Sequence, residues 1–116
     1  MSHPSYHESL PEGIEVLRWP HRHSLPEKEI AAFFDSRGLR STRWSNGPGD
    51  VYAVHSHSYQ KTLFCVEGSI TFTLPDLKQN IALGAGDRLV LPPATRHGAT
   101  VGAEGVTCIE AGEEVR

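Results

Sequence analysis

The sequence contains no apolar run near the ~20 residues that a membrane-spanning helix requires, so a bilayer-crossing chain is not expected. The first ten residues, Met1 to Leu10, are polar and carry no apolar stretch of the kind that directs secretion, which makes a cytoplasmic location the expectation. Only two cysteines, Cys65 and Cys108, are present, too few for a disulfide framework, and in a reducing compartment both are expected to stay thiols. No basic surplus exists: 11 Lys and Arg against 14 Asp and Glu give a net charge of −3 with histidine neutral. Nucleic-acid binders display a basic stripe, so no nucleic-acid partner is expected. Internal repeats and low-complexity tracts are also missing, which argues against a solenoid or a second repeated domain.

What remains is the composition of one ordinary domain. The 116 residues are 38% hydrophobic and 22% charged, enough apolar content for a real core and too much for a disordered chain. Residues 1–11 are polar, with two prolines, and read as a loose N-terminal arm ahead of a single domain over 12–116. A first strand is expected over Glu12 to Arg18. Ser24-Leu25-Pro26-Glu27 has the form of a capping box, a serine hydroxyl followed three residues later by glutamate. Ile30, Phe33 and Phe34 follow at helical spacing and Gly38 is a natural stop, so one short helix is predicted near 25–37.

After Gly38 short β-type runs alternate with turn residues: 39–45, 51–57, 61–67, 69–74, 81–83, 87–91, 96–101 and 106–110. Glu67-Gly68, Pro75-Asp76, Gly84-Ala85-Gly86, Pro92-Pro93 and Gly102 to Gly105 separate several of them. Many short strands at near-regular spacing predict an all-β sandwich or small barrel. Phe64, Phe72, Leu74, Leu89 and Leu91 are its simplest core or interface residues.

Within this frame His55-Ser56-His57 stands out. In a strand, residues i and i+2 project to one face, so two imidazoles lie side by side. A third ligand must come from another strand, and His97 is the leading candidate. Neutral imidazoles suit Fe, Mn, Ni, Co, Cu or Zn. His21-Arg22-His23 repeats the pattern without a partner motif and is not expected to be a ligand pair. His3 and His7 are expected to be solvated. Cys65 shares the strand parity of Lys61 and is a candidate for the cavity face, although a free cysteine is more often a small buried apolar residue.

The spacing around these histidines resembles the cupin superfamily. Gly49, five residues, His55-Ser56-His57, three residues, Lys61, six residues and Gly68 resemble the first cupin motif (49–68). Gly86, five residues, Pro92-Pro93-Ala94, two residues and His97, running on to Val101, resemble the second (86–101). The resemblance implies a double-stranded β-helix, a jelly-roll-like barrel. It also implies one divalent transition metal held by His55, His57 and His97, a small-molecule ligand in the barrel, and a homodimer. Trp19 and Trp44, aromatic residues on short strands near the chain's start, lend the dimer some support.

Three positions depart from the motifs. The second motif's glycine is Ala94, which raises the question of whether its turn still needs a positive φ. Its asparagine is Val101, which reads as barrel packing. The first motif's glutamate, usually a fourth ligand, is Lys61, and Thr62 under the longer spacing offers only a hydroxyl. A charged ammonium about 5 Å from a divalent ion is repelled by roughly 6–7 kcal/mol at an effective dielectric constant of ~20. Lys61 therefore becomes neutral, pairs with a carboxylate such as Glu67 or Glu110, or meets a substrate's carboxylate or enolate. The last alternative makes Lys61 the candidate catalytic residue.

Two functions follow. One is a metal-dependent enzyme acting on a small anionic or chelating substrate, with dioxygenase-like, isomerase or hydrolytic chemistry all open, because the fold hosts many reactions. The other is a non-catalytic ligand-binding or sensor module. A single domain, with no second one to receive a signal, is expected, which favours the enzyme.

Overall fold

Two long strands, β5 (Gln60–Leu74) and β8 (His97–Glu113), run antiparallel through the molecule and organise everything else. The computed structural model describes residues 6–115. Around the long pair lie β1 (Tyr6–Ser9), β2 (Glu15–Arg18), β3 (Thr42–Asn46), β4 (Val51–His55), β6 (Gln79–Gly84) and β7 (Arg88–Leu91). The first halves of β5 and the last part of β8 belong to a sheet ordered β1-β2-β7-β5-β8-β3. Their other ends, Ser69–Leu74 and His97–Val101, pair with β6 and β4. The result is two sheets sharing two bent strands, the all-β double-stranded β-helix that the sequence motifs imply.

The bends have a local cause. Glu67-Gly68 and Gly102 to Gly105, read from the sequence as breaks between strands, are instead kinks within β5 and β8. The β5–β8 register shifts between Cys65 and Glu67 and again between Gly68 and Ile70, and Gly68 and Gly105 both have φ +77°. A bulge bends a strand and increases its twist without ending it.

The main core lies between the sheets and includes Val16, Leu63, Cys65, Ile70, Phe72, Leu83, Leu89, Val101 and Cys108. The opposite face of β5 and β8 is covered too. Phe64, Val66, Ile109 and Ala111 pack against Ile30 and Phe34 of helix α1 (Glu27–Asp35). This explains why Leu63 to Val66 is a continuous apolar run: both faces of the strand are buried there. A nine-residue helix is too short to persist alone. Docking supplies its stability, at about 1.5–3 kcal/mol for each fully buried large side chain.

Some local expectations need correction. The capping box is not formed: Pro26 is the N-cap, no side chain caps the helix, and Glu27 instead binds Arg43 at 2.8 Å. At the other end Gly38 does stop the helix, with φ +69° and hydrogen bonds from the N–H groups of Gly38 to Asp35 and of Leu39 to Phe34, a Schellman pattern. Tyr6–Ser9, inside the stretch read as a loose arm, is a strand paired with Glu15–Arg18; His3 lies outside the described residues. The strand expected from Glu12 begins only at Glu15, because Pro11–Gly13 form a tight turn with Glu12 at φ +64°. No helix among the described residues is long and apolar enough to cross a membrane.

The turn before β8 answers the question raised by Ala94, whose φ is +66°. Its N–H donates to the His57 carbonyl at 2.7 Å, so this turn braces the second histidine. An L-residue with a side chain is strained there by about 1–2 kcal/mol, offset partly by the greater freedom of glycine in the unfolded chain. Ala94→Gly is therefore expected to stabilise the protein by about 0.5–1 kcal/mol, read as a raised midpoint in urea. A lowered midpoint would show that alanine is not strained in this turn.

Candidate metal centre

His55 closes β4 and His97 opens β8, and the two residues face each other in the β4–β8 register. His57 lies just past the end of β4, so simple strand alternation does not orient it. Its carbonyl is held by Ala94 N–H, and its ring stacks on Tyr59 with centroids 4.8 Å apart. Tyr59 in turn lies over Gly112, where an added Cβ would come within 2.5 Å of the tyrosine ring. The three imidazoles converge: one ligand nitrogen from each lies within 4.8 Å of the others.

Their hydrogen bonds orient them. His55 Nδ1 is 2.8 Å from the Ala53 carbonyl and His97 Nδ1 is 2.9 Å from the Thr95 carbonyl. A neutral ring that donates from Nδ1 carries its lone pair on Nε2. His57 Nε2 and His97 Nε2 are buried and have no hydrogen-bond partner. Burial lowers the pKa of His57, and the charges of Lys61 and His55 add to the effect. Burial also lowers His97, against the Thr95 hydrogen bond, with His55, Lys61 and His57 assisting. Two rings whose burial favours the neutral form, with orphaned nitrogens in a group of donors within 4.8 Å of one another, are the donor set that a divalent transition ion takes. These residues fit a metal.

The histidines line a cavity of about 280 Å³ whose other walls include Trp44, Asn46, Tyr52, Lys61, Phe72 and Glu110. Trp44 and Tyr52 meet edge to face at 5.8 Å, and the Tyr52 hydroxyl donates to Asn46 Oδ1. Lys61 does point inward, and its Nζ is 3.2 Å from Glu110 Oε1. The same oxygen accepts from Trp44 Nε1 at 2.8 Å. Glu67, the other carboxylate considered for Lys61, instead accepts from Thr107 at 3.4 Å.

Sequence reading did not identify Trp44, Asn46 or Tyr52 as cavity residues. Trp44, read there as support for an interface, is a cavity wall. The usable signal was parity: Trp44 and Tyr52 sit opposite Cys108 and Ala99, which face inward. Cys65 is not in the cavity; it is fully buried in the core directly across from Cys108. A hydrogen bond to Cys65 and burial raise the Cys108 pKa, as in an inert buried thiol. His21 and His23 stack on each other at 5.1 Å beside Trp19 and are not part of the three-histidine group. His7 is exposed and binds Glu15 at 2.8 Å.

Comparison with known proteins agrees with this architecture. The family model described as "Cupin domain" matches residues 43–111, the span from β3 to the end of the β8 core. Among solved structures, RmlC from Streptococcus suis in complex with dTDP-D-xylose superposes with a TM-score of 0.63 at 11% identity, over 97% of this chain and 72% of its own. KdgF from Halomonas sp. has a TM-score of 0.59 at 20% identity, over 96% and 89%. An RmlC-like cupin from Shewanella frigidimarina has 0.58 at 20%, over 97% and 86%. At these identities the likeness is one of fold. No curated protein matches the sequence.

Proposed function

Given that the chain belongs to the cupin domain family, we propose that it holds one divalent transition metal through His55, His57 and His97 and acts as a metal-dependent enzyme on a small anionic or chelating organic substrate. The observation that carries this reading is the convergence of three imidazole nitrogens, two of them buried without a partner, on the wall of a cavity. Three neutral protein ligands leave the ion's full charge and open coordination positions, the property that separates catalytic from structural sites. Such an ion supplies Lewis acidity to whatever ligand it receives.

The chain's own residues favour an anionic or chelating ligand of modest size. Trp44, Tyr52 and Phe72 give apolar walls against which a carbon skeleton packs. Lys61 is the polar group assigned to the substrate. An ammonium has three donors, and Glu110 occupies one, so Lys61 retains N–H groups for a carboxylate or enolate oxygen.

The test begins with elemental analysis of protein purified without chelators or a polyhistidine tag, followed by screening for oxygen uptake and turnover of small carboxylates. A stoichiometric first-row metal is the expected result; metal-free protein that takes up none when supplied sinks the reading. Lys61→Met then removes the charge and keeps the stem. Binding of a carboxylate probe such as oxalate to the metal-loaded protein is expected to weaken about tenfold or more, in line with the loss of a charged hydrogen bond. Unchanged affinity would make Lys61 a bystander. Stoichiometric metal and ligand binding without turnover would favour the binding-module alternative.

A further inference from the structure

The motif position that elsewhere in the cupin pattern carries an anion here carries Lys61, yet the compensating anion is supplied from a different strand. In the β5–β8 register Leu63 faces Glu110 and Lys61 faces Gly112. Lys61 and Glu110 are therefore diagonal neighbours on the same face, a separation that long side chains bridge. Both side chains are largely shielded, with 12% and 21% of their surface exposed, so their attraction is screened less than a surface pair's.

Glu110 is itself anchored. Trp44 on β3 donates its only side-chain N–H to the oxygen that also meets Lys61. Within the described residues, Lys61 makes no other ion pair. The arrangement ties an ammonium on one wall of the cavity to a carboxylate fixed on another, in a space that the three imidazoles also line.

We propose that Glu110, anchored by Trp44, is a positioning residue that holds the Lys61 ammonium away from the three-histidine centre and neutralises it, so that a divalent cation can bind beside a lysine. This rests on the metal-binding reading above and concerns how the site tolerates its own cation. Glu110 acts through Lys61 and not as a metal ligand, since it lies outside the group of converging donors. Removing the carboxylate frees the ammonium to turn toward the histidines and oppose the ion. Once Lys61 is gone, Glu110 has no such task.

That dependence is tested by cobalt(II) titration of metal-stripped protein in a double-mutant cycle, with affinity and the visible d–d spectrum as readouts. Glu110→Gln is expected to weaken cobalt binding about tenfold. Lys61→Met is expected to bind as tightly as the wild type or better. The double variant is expected to return to within about threefold of Lys61→Met. Trp44→Phe, which removes the anchoring N–H and keeps an aromatic wall, is expected to shift affinity in the same direction as Glu110→Gln by a smaller factor, and it serves if Glu110→Gln proves unstable. Equal affinity in wild type and Glu110→Gln overturns the proposal. So does a loss that persists undiminished in the Lys61→Met background, since the carboxylate would then act on the ion directly. A wild-type protein that binds no cobalt defeats the metal reading itself and this inference with it, a distinct outcome.

Discussion

His97→Ala is expected to weaken binding of a first-row divalent metal by at least about 100-fold while the fold survives. Groups that merely orient metal ligands are worth 10–100-fold, so losing a ligand belongs at or beyond the top of that range. Of the three candidate ligands, His97 is the one most firmly set in place. It is the most buried of the three at 2% exposure, it is oriented by the Thr95 carbonyl, and its Nε2 has no partner. Removing it leaves His55, which is exposed, and His57, which is braced only through its own carbonyl and ring stack. Calorimetric titration of the variant, with far-UV circular dichroism as a check on folding, gives the answer. Unchanged affinity in a folded His97→Ala protein would remove His97 from the site. Imidazoles must be neutral to bind metal, so wild-type affinity is also expected to fall as the solution is acidified. The lowered pKa values of His57 and His97 keep those two rings neutral, and available to a metal, to lower pH than an ordinary imidazole.

Gly68→Ala is expected to cause the largest loss of stability of any single methyl addition at the β5–β8 crossing. An added Cβ would sit 2.0 Å from the Gly105 carbonyl oxygen and 2.8 Å from its carbon, and the backbone stands at φ +77°. The obstruction is main chain, so no rotamer change relieves it. Left-handed strain of about 1–2 kcal/mol adds to an overpacking cost of about 1–3 kcal/mol, for a total of about 2–5 kcal/mol. At this chain length that corresponds to a melting point lowered by about 10 °C or more. Gly38→Ala is the control: it has a similar φ of +69° but nothing within 4 Å of the added atom. It should lose only the strain, about 1–2 kcal/mol. Equal losses at the two sites would mean that the close approach of β5 and β8 is not rigid.

The strand-like runs, the helix stop at Gly38 and the spacing of the two histidine motifs are all carried by neighbouring residues. Those features were legible because turn geometry and side-chain alternation are short-range. The same locality misled where two interpretations share one signature. A glycine after a charged residue marks either a turn or a bulge, and only the continuous pairing of β5 with β8 makes Gly68 the latter. A serine followed by glutamate matches a capping box, but Glu27 is drawn from the helix to Arg43 on β3, and the helix forms without the box.

The functional site divides along the same line. His55, His57, His97 and the anomalous Lys61 are named by sequence alone, because their motifs count residues along one chain. Which carboxylate answers Lys61 was not readable, since Glu67 and Glu110 are equally plausible until strands are paired. The register that sets Leu63 opposite Glu110 brings one of them to the ammonium, while Thr107 takes the other. The register of β3 on β8 brings Trp44 to that same carboxylate. Sequence determined the three candidate ligands and the fold that carries them. Tertiary structure alone decided the charge balance around them, because that balance depends on cross-strand neighbours up to 66 positions apart in the chain.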